Sequence, residues 1–163
     1  VILPLLMILV PGAGRFLIGW AKPVPVNPHN LKNPKMDDIL VSMAGPWMNL
    51  MLAVVLMALA RVGVMVGSHD LVSLSLQTAY LSLMLCFFNL IPVPPLDGSH
   101  VLRNLIGMSY ETYYSIARYG FIIVIVLLQV PLVRTLLSGV TSGAWRIIGG
   151  WFGLTCWEHV FLL

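Results

Sequence analysis

The sequence predicts an all-α membrane protein, a polytopic bundle of transmembrane helices with a short extended or β segment before the first full span. Three observations carry this. Hydrophobic residues make up 59% of the 163 positions and charged ones only 9%, against roughly 25% charged in soluble domains. The mean hydropathy is +0.94. Uncharged runs long enough to cross a bilayer recur, with prolines gathered between them. Spans of ~20 residues and their loops leave no room for a separate soluble domain, so residues 1–163 are expected to form one transmembrane domain in a lipid bilayer. The net charge of +3 is spread over loops and orients spans; no basic run supports nucleic-acid binding. Cys86 and Cys156 stand 70 positions apart without a C-x-x-C, which suggests neither a disulfide framework nor a thiolate metal site.

Val1 to Val10 is uncharged but only ten residues long and holds Pro4, too short for a core ~30 Å thick. With no initial Met and no basic lead-in, it does not read as a signal peptide, and Val1 is taken as the edge of a larger protein. Between Gly19 and Pro28 the prolines at 23, 25 and 28 forbid a helix, so that stretch should be an extended arm or edge strand. Ile39 to Ala60 gives 22 uncharged residues, with Asp37 and Asp38 before it and Arg61 after it, charges that suit the two ends of a helix dipole. Leu71 to Ile91 gives 21 more and stops at Pro92, which removes a backbone donor. Tyr119 to Val133 is a third span, 15 residues bracketed by Arg118 and Arg134, whose long stems reach back to the headgroups. From about 135 to 154 the run is broken by Gly139, Gly143, Gly149 and Gly150 and carries Trp145 and Trp151. It is either a fourth span or an interfacial helix.

If the chain crosses at each full span, the segments 11–38 and 92–118 face one side. They hold Arg15, Lys22, Lys32, Lys35, Arg103 and Arg118 against Arg61 alone in the opposite loop, which makes the side of Asp97 cytoplasmic. Arg103 and Lys22 are read as solvated orientation charges.

The ten residues Asn89-Leu-Ile-Pro-Val-Pro-Pro-Leu-Asp-Gly98 end the second span on a carboxylate. An acid at membrane depth among helix-breaking prolines marks a metal, ion or substrate site, and unwound backbone there is tolerable only where it lines a cavity in the protein. The other view of Asp97 is a loop acid capping a helix that begins near Ser99. Asn89 is balanced between a functional amide and one that bonds a neighbouring helix. His100 falls three residues after Asp97 and is favoured as a headgroup-level histidine over a ligand. An aspartyl protease would need a second facing carboxylate, and the other acids fall outside the full spans.

The pattern N-x-x-P-x-x-x-L-D-G, complete at Asn89, Pro92, Leu96, Asp97 and Gly98, resembles the second signature of the site-2 family of intramembrane zinc metalloproteases, which are peptidase M50-like. Two more stretches are similar to its compact prokaryotic members: Gly19 to Pro28, and Ala44-Gly45-Pro46-Trp47-Met48-Asn49 in the first span. The resemblance covers most of residues 19–105. It implies an endopeptidase that cuts transmembrane segments, Zn2+ as cofactor, and a transmembrane protein or peptide as substrate. It implies a multi-pass protein of a prokaryotic cytoplasmic membrane, Asp97 as a zinc ligand, and Asn89 at the cleft, holding the substrate or its oxyanion. The extended arm, with Pro23, Val24, Pro25 and Val26, would pair with substrate by strand addition. Gly45 and Pro46 suit a close approach of helices, and Asn49 is a polar group that needs a partner in lipid.

Two departures matter. Ser99-His100 stands where many members have Gly-Arg, and no H-E-x-x-H occurs; the family carries that motif upstream of the Lys-Pro-Val-Pro-Val-Asn-Pro stretch. The expectation is therefore an N-terminally truncated core, inactive alone. The competing functions are a non-catalytic relative serving as a membrane scaffold, and a transporter fragment. A transporter should show a second broken helix by internal repeat, and no second copy of the motif is found.

Overall fold

A computed structural model describes residues 34–154. The chain there forms helices α1 (Pro34–Met65), α2 (His69–Asn89), α3 (Gly98–Ile106), α4 (Tyr110–Ala117), α5 (Gly120–Gln129) and α6 (Pro131–Trp151), and no strand is present among the described residues. The expected extended arm, with Pro23, Val24, Pro25 and Val26, lies outside them.

Helix α1 runs 32 residues, longer than the uncharged stretch that announced it. Its flanking charges Lys35, Asp37, Asp38 and Arg61 are helical themselves, because long or terminal charged side chains reach the interface without ending the helix. Pro34 stands at its first turn, where no backbone donor is needed. The helix ends at a left-handed glycine, Gly67, with φ +70°. Ser68 N–H donates to the Gly63 carbonyl at 3.0 Å and Gly67 N–H to that of Val64 at 3.3 Å, so orphan carbonyls are satisfied before the chain turns back into α2.

Helices α1 and α2 make the most extensive pairing of the fold. Ala53, Met57, Ala60 and Gly63 face Val72, Leu76, Ala79 and Leu83, all buried. These residues recur at three- and four-residue spacing, which puts each set on one helix face. Half of them are Gly or Ala, which let the helices approach closely where lipid gives apolar helices little reason to associate except van der Waals packing. At Gly63 an added Cβ would meet Val72 Cγ2 at 2.9 Å. The outer faces stay apolar: Leu40, Trp47, Met48, Val55 and Leu74 are exposed, as lipid-facing side chains should be. Both helices are long and apolar enough to cross a membrane.

The third expected span takes another form. Its uncharged run contains Pro131, which forces Val130 into an extended conformation with ψ 118° and starts α6 as its first residue. Helix α5 is left with ten residues, and it reaches crossing length only together with α4, at a bend of 61°. Helix α6 is continuous over 21 residues despite its glycines. Thr141, Trp145 and Ile148 are buried along its length, and Trp145 meets Tyr80 of α2 edge-on at 5.8 Å. Each mid-helix glycine costs ~1 kcal/mol relative to alanine, and this packing offsets the cost.

Candidate metal and substrate site

After Asn89 the chain descends through tight turns. Leu90 N–H donates to Phe87 O, Ile91 to Phe88, Val93 to Ile91 and Leu96 to Val93, all at 2.8–3.2 Å. Prolines 92, 94 and 95 have no donor to satisfy, so this unwound stretch leaves few orphan N–H groups at membrane depth. Gly98 makes the reversal possible. A Cβ there would overlap the carbonyls of Leu90 and Ile91, so α3 starts directly against the end of α2. On the other side Gly120, at the start of α5, sits against Pro94 and Pro95 with no room for a side chain.

Asp97 occupies the N-cap position of α3, yet its side chain makes no capping hydrogen bond. Its backbone is in the right-handed helical region, with φ −60° and ψ −36°, and the usual capping conformation is extended. The carboxylate turns instead towards α1: an added Cβ at Gly45 would lie 2.8 Å from Asp97 Oδ2. Two of the motifs singled out in the sequence thus meet, with glycine leaving the space the acid fills. Pro46 beside it is fully buried.

The α1–α2 register brings Asn89 to the same level. From the Gly63–Val72 contact, seventeen residues along α2 lead to Asn89 and seventeen back along α1 lead to Pro46, equal rises on antiparallel helices. Asn89 is half-buried and its amide makes no hydrogen bond among the described residues. Asn49, one turn further along α1, is likewise half-buried and without such a bond, so the partner expected for it is not found among them. Pro92 is exposed and Leu96 is buried under the loop.

A second cluster lies further along α3. Asp38, in the first turns of α1, accepts from Arg103 Nη2 at 2.8 Å and from Asn104 Nδ2 at 2.6 Å, both on Oδ2. His100 Nδ1 lies 3.4 Å from Oδ1, within ion-pair range but without hydrogen-bond geometry. Arg103 is only 4% exposed and its guanidinium stands 4.1 Å above the Tyr110 ring and 5.3 Å above that of Tyr113. The expectation of a solvated orientation charge at Arg103 is therefore corrected: it is a buried, paired cation. His100 is no bare headgroup histidine either, since Nε2 is 3.1 Å from Tyr113 Oη, which is 3.0 Å from Ser99 Oγ, which donates to Leu96 O. Nε2 is thus within hydrogen-bond reach of Tyr113, while Nδ1 lies near Asp38 without bonding it. Asn104 and Tyr113 escaped the sequence reading and Asp38 entered it only as a dipole charge, although His100, Arg103 and Asn104 at i, i+3 and i+4 share a helix face and could have signalled an acidic partner.

Asp97 is suited to a metal by chemistry and placement: a carboxylate oxygen donor that, among the described residues, serves neither as a cap nor in a salt bridge. No group of three His, Cys, Asp or Glu side chains able to hold a metal occurs among the described residues, so Asp97 fits as one ligand of a larger set. A cavity of about 220 Å³ beyond the proline loop is lined by Pro92, Val93, Pro94, Leu102, Tyr113 and Ile123, among others, and excludes both Asp97 and Asn89; it is not the site just described.

Comparison with known proteins bears on the same residues. The model of peptidase family M50 matches residues 64–128, a stretch that includes Asn89 and Asp97. The chain is 36% identical over 138 residues to YwhC of Bacillus subtilis (strain 168), a protein named as a zinc metalloprotease, which covers 78% of this chain and 59% of that protein. It is 32% identical over 126 residues to Rip3 of Mycobacterium tuberculosis, also named as a zinc metalloprotease, covering 74% of this chain and 32% of the other. The chain thus spans about three-fifths of the first relative and a third of the second. No solved structure matches it. With its motifs, its apolar helices and these relatives in agreement, the chain belongs to peptidase family M50.

Proposed function

We propose that the chain is the aspartate-bearing part of an intramembrane zinc endopeptidase that cuts transmembrane segments of other proteins. The observation that carries this is the uncapped Asp97 carboxylate lodged at Gly45, level with the Asn89 end of α2. The relatives' names as zinc metalloproteases support the metal and the reaction class. Zinc, when bound, supplies the Lewis acidity that peptide hydrolysis needs. Asp97 contributes one anionic oxygen ligand to it; the remaining ligands come from outside the described residues, since a zinc site takes three protein donors. Asn89 offers an amide donor to the carbonyl of the scissile peptide, where charge develops during attack. The arm with Pro23, Val24, Pro25 and Val26 lays the unwound substrate out as an added strand. The Asp97 side faces the cytoplasm of a prokaryotic cell, on the distribution of Lys and Arg.

The test uses the full-length gene product in detergent, with a synthetic transmembrane peptide as substrate. Asp97→Ala is expected to lose both zinc and cleavage. Asn89→Ala is expected to keep zinc and lower the rate about a hundredfold, the usual cost of one oxyanion donor. Stoichiometric zinc and turnover in Asp97→Ala would remove its role, and an unchanged rate in Asn89→Ala would return that residue to packing.

A further inference from the structure

The proposed chemistry leaves the Asp38 cluster unused, although it pairs a buried cation with a half-buried acid. Its geometry relative to Asp97 gives it a purpose. Arg103 and Asn104 lie six and seven residues after Asp97 on α3, and Asp38 lies seven residues before Gly45 on α1. At 1.5 Å per residue both separations are about 10 Å, so α3 runs antiparallel to α1 and touches it at two matched points. One is the polar contact at Asp38; the other is the carboxylate at Gly45.

The second point has little attraction of its own: the one electrostatic partner of Asp97 among the described residues is His100, on its own helix α3, and it draws the carboxylate along α3 and not onto α1. Asp97 forms no side-chain hydrogen bond or ion pair among the described residues, and Gly45 supplies only clearance. Among the described residues, what sets the carboxylate in its notch is the backbone that carries it. A slip of α3 by one residue would move Asp97 about 1.5 Å and turn it about 100°. The Asp38 contact resists such a slip, because two consecutive side chains converge on a single oxygen while His100 flanks the other. No neighbouring register can rebuild that convergence.

We infer that Asp38, Arg103 and Asn104 form a positioning clamp that fixes α3 lengthwise on α1 and so holds the Asp97 carboxylate in the Gly45 notch. The inference rests on Asp97 being a metal ligand, as proposed above. Displacements of about 1 Å at a reacting centre can cost a hundredfold in rate, and loss of groups that orient a ligand typically costs 10–100-fold in metal affinity.

The experiment measures Zn2+ affinity of the full-length protein by competition with a chromophoric chelator, alongside thermal unfolding of each variant. Arg103→Gln and Asp38→Asn are expected to weaken Zn2+ binding by about 10–100-fold, and Asn104→Ala, which removes one donor and keeps the ion pair, by about severalfold. Arg103→Lys, which keeps the charge but loses the fork, should recover part of the affinity lost in Arg103→Gln. A merely structural role would lower the unfolding temperature and leave the folded protein's Zn2+ affinity unchanged. Wild-type affinity in Arg103→Gln and Asp38→Asn, with affinity lost in Asp97→Ala, would overturn the clamp and leave the ligand standing. Wild-type affinity in Asp97→Ala would overturn the ligand itself. If the charge variants fail to fold, Asn104→Ala decides, and unchanged binding there counts against the clamp.

Discussion

Gly45→Val in the full-length protein is expected to abolish stoichiometric zinc binding while leaving the helix pair folded. The first atom of any side chain at position 45 would stand 2.8 Å from Asp97 Oδ2, inside the ~3.5–4.0 Å of ordinary contact. The group in the way is the end of a movable side chain, so the collision is relieved by turning the carboxylate out rather than by breaking the backbone. The damage is then to position more than to stability. Gly45→Ala tests the same point with a single carbon and should weaken zinc binding without removing it. Metal analysis of purified protein, paired with thermal unfolding in detergent, separates the two effects. Full zinc occupancy in Gly45→Val would count against the notch as the place of the ligand proposed at Asp97.

Gly98→Ala is expected to act the other way, on stability first. Its added carbon would overlap the backbone carbonyls of Leu90 and Ile91, and these belong to the end of α2 and the turn that follows it, with no side-chain freedom to give way. Overpacking of this kind costs about 1–3 kcal/mol, occasionally more, which for a domain of this size lowers the unfolding temperature by roughly 2–4 °C per kcal/mol. The relief available is to lift α3 away from α2, which also carries Asp97 out of the site, so zinc affinity should fall together with stability. A variant that melts at the wild-type temperature would contradict the close approach of α3 to the end of α2.

The two predictions concern residues that the sequence displayed openly. The glycine after Asp97 and the Ala44-Gly45-Pro46 stretch were visible as motifs, and the long spans were visible as apolar runs, because membrane helices must be continuous and uncharged to satisfy their backbone. Their convergence needed the α1–α2 register, which follows from small residues spread over both helices. The Asp38 clamp was hidden for a different reason. Asp38 and Arg103 are 65 positions apart, and a lone charge near the end of an apolar run has an adequate explanation in dipoles and topology, so nothing local demanded a partner. The bounds of the third span were harder to read, because charge alone was counted: Pro131 interrupts that run without altering its hydropathy, and the helix pair that reaches crossing length is α4 with α5, whereas the glycines of α6, weighed as breaks, are tolerated by packing on α2. The arm with Pro23, Val24, Pro25 and Val26 lies outside the described residues.

The length of α1 has a mechanical consequence. Its 32 residues extend about 48 Å, well beyond a hydrocarbon core ~30 Å thick, so the helix fits lipid by leaning or by projecting. A change in bilayer thickness alters that lean, and the ends of a leaning rod travel furthest while its middle acts as the pivot. Gly45 lies about 7 Å from the midpoint of α1, and Asp97 is lodged against it. Where α1 leans, the carboxylate sits near the pivot, and its depth in the bilayer is then buffered against the thickness of the lipid around it.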